Sequence, residues 1–130
     1  MGSRVHTIES DFVMLNPELG ATPVEFTPTL FEEFQAKPES VRGCTLVSSF
    51  SFEADWPSWE RHPAGDEVVM LMEGEVTMVL EIDGEEQTAL LDRPGSYVIV
   101  PKNTWHTART GTSARMLFIT PGEGTEHREA

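Results

Sequence analysis

"EVTMVLEIDGEEQTALL", residues 75–91, decides the fold class. Val76, Met78, Leu80 and Ile82 fall on one face of an extended strand, with Thr77 and Glu81 on a wetter one. Asp83-Gly84 then stands between two such runs and is a strong cue for a tight hairpin turn. Outward from this hairpin, "CTLVSSFSF", "VVMLME", "SYVIVP", "HTART" and "ARMLFIT" read as further short strands. Turn signals separate them: "PAGD", "EGE", "DRPG", "PKNT" and "TGTS". Many short strands with almost no helix predict an all-β antiparallel sandwich or barrel.

The chain divides by character into an irregular N-terminal segment (1–42), a strand-rich unit (43–120) and a polar tail (121–130). In the first segment "DFVML" suits a strand, and "PTLFEEFQA" suits one or two helical turns started by Pro28. The run "VVMLM" is apolar on both strand faces and must be covered on both. The barrel interior supplies one cover; the N-terminal segment or a second subunit supplies the other, so a homodimer is expected.

With 130 residues the chain is expected to be one domain with a real core, and its 38% apolar share suits a soluble protein. No stretch approaches the ~18 apolar residues of a membrane span. The start "MGSRVHTIES" lacks the apolar centre of a secretory signal, and Cys44 is the single cysteine, so a cytoplasmic setting is expected. Cys44 reads as a small buried hydrophobe. The formal charge of −13, from 22 acidic and 9 basic residues, disfavours nucleic acid and anionic membranes as partners. It favours cations near any cleft.

Chemistry concentrates in "WERHPAGDE", residues 59–67. Glu60 and His62 lie two apart, so an extended strand aims both the same way. A turn follows, and Glu67 opens the next strand. Residues 60–74 read E-x-H-x4-E-x6-G, and residues 95–106 read G-x5-P-x-N-x2-H, ending on His106. Asn103 suits a turn position of positive φ.

Together these patterns resemble the two motifs of the cupin family, G-x5-H-x-H-x3,4-E-x6-G and G-x5-P-x-G-x2-H-x3-N. The resemblance covers roughly residues 43–120 and is to a small single-domain bacterial-type cupin, a jelly roll of the RmlC-like kind. It implies an antiparallel double-stranded β-helix, often dimeric, with a metal held inside one end. His62, Glu67 and His106 fall on metal-ligand positions; Gly74, Gly95 and Pro101 fall on structural ones. Three departures stand out: Glu60 replaces the first histidine, Asn103 a glycine and Thr110 the final asparagine.

The residues themselves argue for a cation. Two carboxylates close together in a poorly solvated barrel mouth repel, and each buried charge costs several kcal/mol. A divalent ion removes both penalties, held by Glu60, His62, Glu67 and His106 with open positions for substrate. This harder N2O2 set leans toward Mn²⁺ or Fe²⁺, with Zn²⁺ and Ni²⁺ also compatible. The competing reading pairs Glu60 with Arg61 or Arg109 at the rim, leaving a metal-free barrel with hydrogen-bonded histidines.

Other candidates carry less. Tyr97 shares its parity with Ile99 and is placed inside the barrel, as a proton donor, a substrate contact or a buried structural tyrosine. Trp59 and Trp105 are expected to point away from the ligands into core or interface. His127 lies in a tail expected to fray, the alternative being a lid or extra base over the mouth.

The leading functional expectation is a metal-dependent cupin enzyme acting on a small polar metabolite by dioxygenase-, isomerase- or lyase-type chemistry. Glu60 is then the ligand able to swing off and act as a base. The alternatives are a non-catalytic cupin that binds a small ligand or a metal for sensing or storage, and an empty structural barrel.

Overall fold

The computed structural model describes residues 4–129; residues 1–3 and 130 lie outside it. Eleven strands follow in order: β1 (Asp11–Leu15), β2 (Ala21–Glu25), β3 (Thr45–Phe52), β4 (Ser58–Arg61), β5 (Glu67–Gly74), β6 (Val76–Ile82), β7 (Glu85–Leu91), β8 (Tyr97–Val100), β9 (His106–Arg109), β10 (Ala114–Pro121) and β11 (Glu126–Glu129). One short helix, α1 (Leu30–Ala36), and a 3-10 turn (Pro38–Val41) precede β3. Two antiparallel sheets result, ordered β2-β1-β3-β10-β5-β8 and β11-β4-β9-β6-β7. The chain is an all-β jelly roll.

The β6–β7 hairpin closes through Asp83 and Gly84, at φ of 53° and 79°, with Ile82 paired to Glu85. Two successive positive φ angles are the backbone that an Asp-Gly pair adopts at least cost. Gly74 at the end of β5 is obligatory for a second reason. A Cβ there would sit 2.1 Å from the Ser113 carbonyl oxygen, on a φ of +86°.

Inward residues of both sheets form the main core, including Val69, Leu71, Met78, Val100, Ala108, Met116 and Phe118. A second cluster of Phe12, Leu30 and Leu46, with Met14, Val24, Phe34 and Phe50 against it, joins the N-terminal segment to β3. The N-terminal hairpin is therefore part of the six-stranded sheet: β1 pairs with β3 and extends it.

That extension does not lie over the outer face of β5, which keeps an uncovered apolar surface. Tyr97 and Ile99, the outward residues of edge strand β8, are 56% and 54% exposed, and Met72 is exposed beside them. Met72 is also the unpaired residue of a bulge, since Arg115 pairs with Glu73 and the adjacent Met116 with Leu71.

Candidate metal centre

The register of the five-stranded sheet places three polar residues in one row. His127 of β11 pairs with Glu60 of β4, and Glu60 pairs with His106 of β9. Directly opposed residues share a face, and here it is the inner one, because His106 also pairs with the buried Leu80. His62 follows β4 immediately, and Glu67 enters from the opposite sheet as the first residue of β5.

Two backbone contacts hold the ligand-bearing turns together. Asn103 N–H donates to the His62 carbonyl (3.0 Å). Lys102 N–H donates to Asp66 Oδ1 (2.7 Å). Asn103 has the positive φ, 64°, that its residue type suggested. The turn before His106 is thus fastened to the turn after His62, fixing how far apart the two imidazoles sit.

Glu67 lies between the histidines, with Oε2 3.3 Å from His62 Nε2 and Oε1 2.9 Å from His106 Nε2. Glu60 Oε2 is 3.8 Å from His62 Nε2. Ligand atoms of Glu60, His62 and His106 all fall within 4.8 Å of one another. An ion held at about 2.1 Å separates its ligand atoms by roughly 3 to 4 Å, so only small side-chain shifts are needed to close around one.

The outer atoms of these residues are fixed by neighbours. His106 Nδ1 donates to the Thr104 carbonyl (3.0 Å), which leaves Nε2 with its lone pair in the neutral ring. His62 Nδ1 bonds the Thr125 hydroxyl (2.9 Å). The Thr120 hydroxyl donates to Glu67 Oε2 (2.6 Å). Such contacts orient ligands around a metal.

Against these satisfied outer atoms, three inner ones are orphaned. His62 Nε2, Glu67 Oε1 and His106 Nε2 are buried and have no hydrogen bond of usable geometry, short though the distances between them are. They face one another as close charge partners, with no hydrogen bond formed between them. Buried polar atoms without partners are rare and costly, and two imidazole nitrogens with two carboxylates form a donor set suited to a transition metal. The residues fit an ion.

The electrostatics agree. Burial pushes the Glu67 carboxyl up, yet contact with His106 and His62, and their positive charge, outweigh it and hold the group at about 2. Burial pushes the His106 imidazolium down, but the Glu67 carboxylate beside it raises it above its ordinary value. Positive charge beside the Glu67 carboxylate is thus favoured.

Two expectations about Glu60 and Tyr97 resolve differently. Arg61 pairs with Glu126 at 2.9 Å on the outer face, away from Glu60, because adjacent residues in β4 face opposite ways. Glu60 instead meets His127 Nε2 at 3.3 Å. Tyr97 does not project into the barrel. The β5–β8 register pairs the inward Glu67 and Val69 with Val100 and Val98, which sends Tyr97 and Ile99 outward and removes Tyr97 from any role at the site. Parity within one strand cannot say which alternate set faces in; the partner strand decides.

The tail expected to fray forms β11. Its His127 reaches the mouth of the site, where contact with the Glu60 carboxylate raises its imidazolium above the ordinary value. Thr120 and Thr125 are not among the expected site residues, and His127 enters there only as the lid or extra base that is the alternative to a frayed tail. Thr120 was legible as the one polar member of the inward set Ala114, Met116, Phe118. Thr125 and His127 are spaced as a strand spaces one face, a faint signal in a glycine-containing stretch. Trp59 and Trp105 point outward as expected, with Arg128 4.9 and 4.7 Å from their rings.

None of the curated proteins matches this chain. Among solved structures, a cupin-2 domain containing protein from Shewanella frigidimarina is 23% identical with a TM-score of 0.50, over 59% of this chain and 70% of its own. A hydroquinone 1,2-dioxygenase from Sphingomonas sp. TTNP3, solved with 4-hydroxybenzoate bound, is 18% identical with a TM-score of 0.50, over 62% and 60%. The hydroquinone 1,2-dioxygenase PnpCD, solved with Cd²⁺ and 4-hydroxybenzonitrile, is 19% identical with a TM-score of 0.53, over 59% and 57%. At these identities the likeness is one of fold. The cupin domain family itself matches residues 51–120, more than half of the chain and the whole span from Glu60 to His106. With two sheets closed around a histidine–glutamate cluster and that match in sequence, the chain belongs to the cupin domain family.

Proposed function

We propose that this chain is a metal-dependent cupin enzyme acting on a small polar metabolite, with Glu60, His62, Glu67 and His106 as the ligands of one divalent ion. The observation that carries this reading is the set of three buried atoms without a hydrogen bond, His62 Nε2, Glu67 Oε1 and His106 Nε2, gathered at one point. The two carboxylates favour Mn²⁺ or Fe²⁺, with Zn²⁺ and Ni²⁺ compatible.

A bound ion supplies Lewis acidity toward a carbonyl, carboxylate or enediol oxygen of the substrate. The protein's own residues do the rest. Glu67 and the two histidines hold position from the dry side, their side chains 3%, 4% and 0% exposed. Glu60, with a side chain 28% exposed, stands where a substrate enters and is the carboxylate able to take up or return a proton. The neighbouring dioxygenase folds, one of them solved with a metal ion, support this class of chemistry by analogy.

The same reading takes residues 43–120 as the functional barrel, flanked by 1–42 and 121–130, in a cytoplasmic homodimer. The uncovered outer face of Met72, Tyr97 and Ile99 supports the dimer. No helix among the described residues is long and apolar enough to cross a membrane.

Elemental analysis of the purified chain tests the centre. One transition metal per chain is expected, lost in Glu67→Ala and in His106→Ala. Full occupancy retained in both variants would refute the ligand set. Metal binding without turnover across a broad panel of small acids and sugars would move the reading to a non-catalytic binding cupin.

A further inference from the structure

We infer that His127, on a strand beyond the family-matched residues, is a positioning residue that fixes the Glu60 carboxylate toward the metal centre. This rests on the reading of the site as a metal centre and deepens it. The family match ends at residue 120, and β11 begins at Glu126.

The two oxygens of Glu60 are divided between two histidines. Oε1 lies 3.3 Å from His127 Nε2, and Oε2 lies 3.8 Å from His62 Nε2. Glu60 stands where the family places a histidine, and a glutamate has one more rotatable bond to fix. At the half-open mouth, a carboxylate with no second contact would spread over several rotamers. The His127 ring removes that freedom from the wet side, leaving the other oxygen facing the cluster.

The strand that carries His127 is anchored well enough to do this. Arg61 grips Glu126 through two nitrogens at 2.9 and 3.3 Å. Arg128 packs against the Trp59 and Trp105 rings and pairs with Glu81. Thr125, two residues before His127, holds His62 Nδ1 at 2.9 Å. One strand therefore orients two of the four ligands, His62 through Thr125 and Glu60 through His127. Its glycine-containing approach, "PGEGT", crosses the barrel end to bring it there.

Co²⁺ binding to the full chain tests the inference. Affinity is read by competition with a chelator and coordination by the visible absorption bands. His127→Ala is expected to weaken Co²⁺ binding on the order of tenfold, the low end of the range for residues that orient ligands. Its spectrum should shift to that of Glu60→Ala. His127→Gln, whose amide can still donate to Glu60, should restore most of both. In the Glu60→Ala background, His127→Ala should cost nothing further. Circular dichroism of the metal-free variants confirms that each is folded.

Wild-type affinity and spectrum in His127→Ala would overturn the inference while leaving the metal centre intact, provided Glu67→Ala still abolishes binding. Additive losses in the double variant would overturn it too, because His127 would then act independently of Glu60. A wild-type chain that binds no Co²⁺ would take down the metal centre and the inference together.

Discussion

The two halves of the site are built on opposite principles. On the dry side, His62, Glu67 and His106 have side chains at most 4% exposed, and each has one atom satisfied by a neighbour and another left without a hydrogen bond. On the wet side, Glu60 and His127 are 28% and 46% exposed and lie 3.3 Å apart. The dry half cannot relax into water, so its geometry is held whether or not an ion is present. The wet half is held by a single contact, between Glu60 and His127 on the neighbouring strand. The difference teaches that the buried three are set by the barrel interior, while the placement of Glu60 depends on the strand that carries His127.

The sharpest way to break this contrast is acid. The Glu67 carboxyl, held at about 2 against an ordinary 4.5, stabilises the metal-free fold at neutral pH and above about 4.5, and that stabilisation is lost as pH falls from there toward 2. The shift corresponds to about 3 kcal/mol at most. His106, raised by the same contact, acts with the opposite sign: its contribution is full below its ordinary 6.5 and disappears as pH rises through its folded value. One contact underlies both, so the two are not added. Chemical denaturation of metal-free protein from pH 2 to 9 should give a stability maximum between these limits. A Glu67→Gln variant should lose the acid limb; an acid limb of equal depth in that variant would place the sensitivity elsewhere.

A smaller effect is expected one step out. Thr120→Val keeps shape but removes the hydroxyl from Glu67 Oε2, a hydrogen bond to a charged group worth about 2 kcal/mol. Denaturation at pH 7 should show that loss, and the Glu67 carboxyl should titrate higher, measured by NMR. No change in either would mean the dry half does not depend on its outer contacts.

The smallest effect at the centre is expected on the outer wall. Tyr97→Ser with Ile99→Ser should leave metal content unchanged, because both side chains point away from the barrel. The pair should convert the proposed dimer to monomer in sedimentation velocity. A wild-type monomer would refute the dimer, and metal lost in this variant would refute the separation of wall from site.

Much of the centre was legible in the sequence because it depends on local spacing. Glu60 and His62 are two apart on an extended segment, and His106 follows a turn whose Asn103 announces its positive φ. The Asp83-Gly84 hairpin was legible for the same reason, since two residues carry the whole turn. Tyr97 failed because alternation gives two equivalent faces, and only the pairing of β8 with β5 distinguishes them. The C-terminal strand failed more completely. "EHRE" has no apolar face of its own, and its order comes from Arg61, Trp59, Trp105 and Glu81, none of them nearby in the chain.

By itself, then, the order of residues determined the strand-rich class, the hairpins and the identity of four ionisable groups at spacings that suit a cation, because each depends on a handful of adjacent positions. Only the folded chain decided which side of each strand faces inward, that Glu60 meets a histidine in place of an arginine, and that the last strand pairs with β4. Those outcomes depend on which distant strands lie side by side, and strand pairing is set by the burial of the whole core.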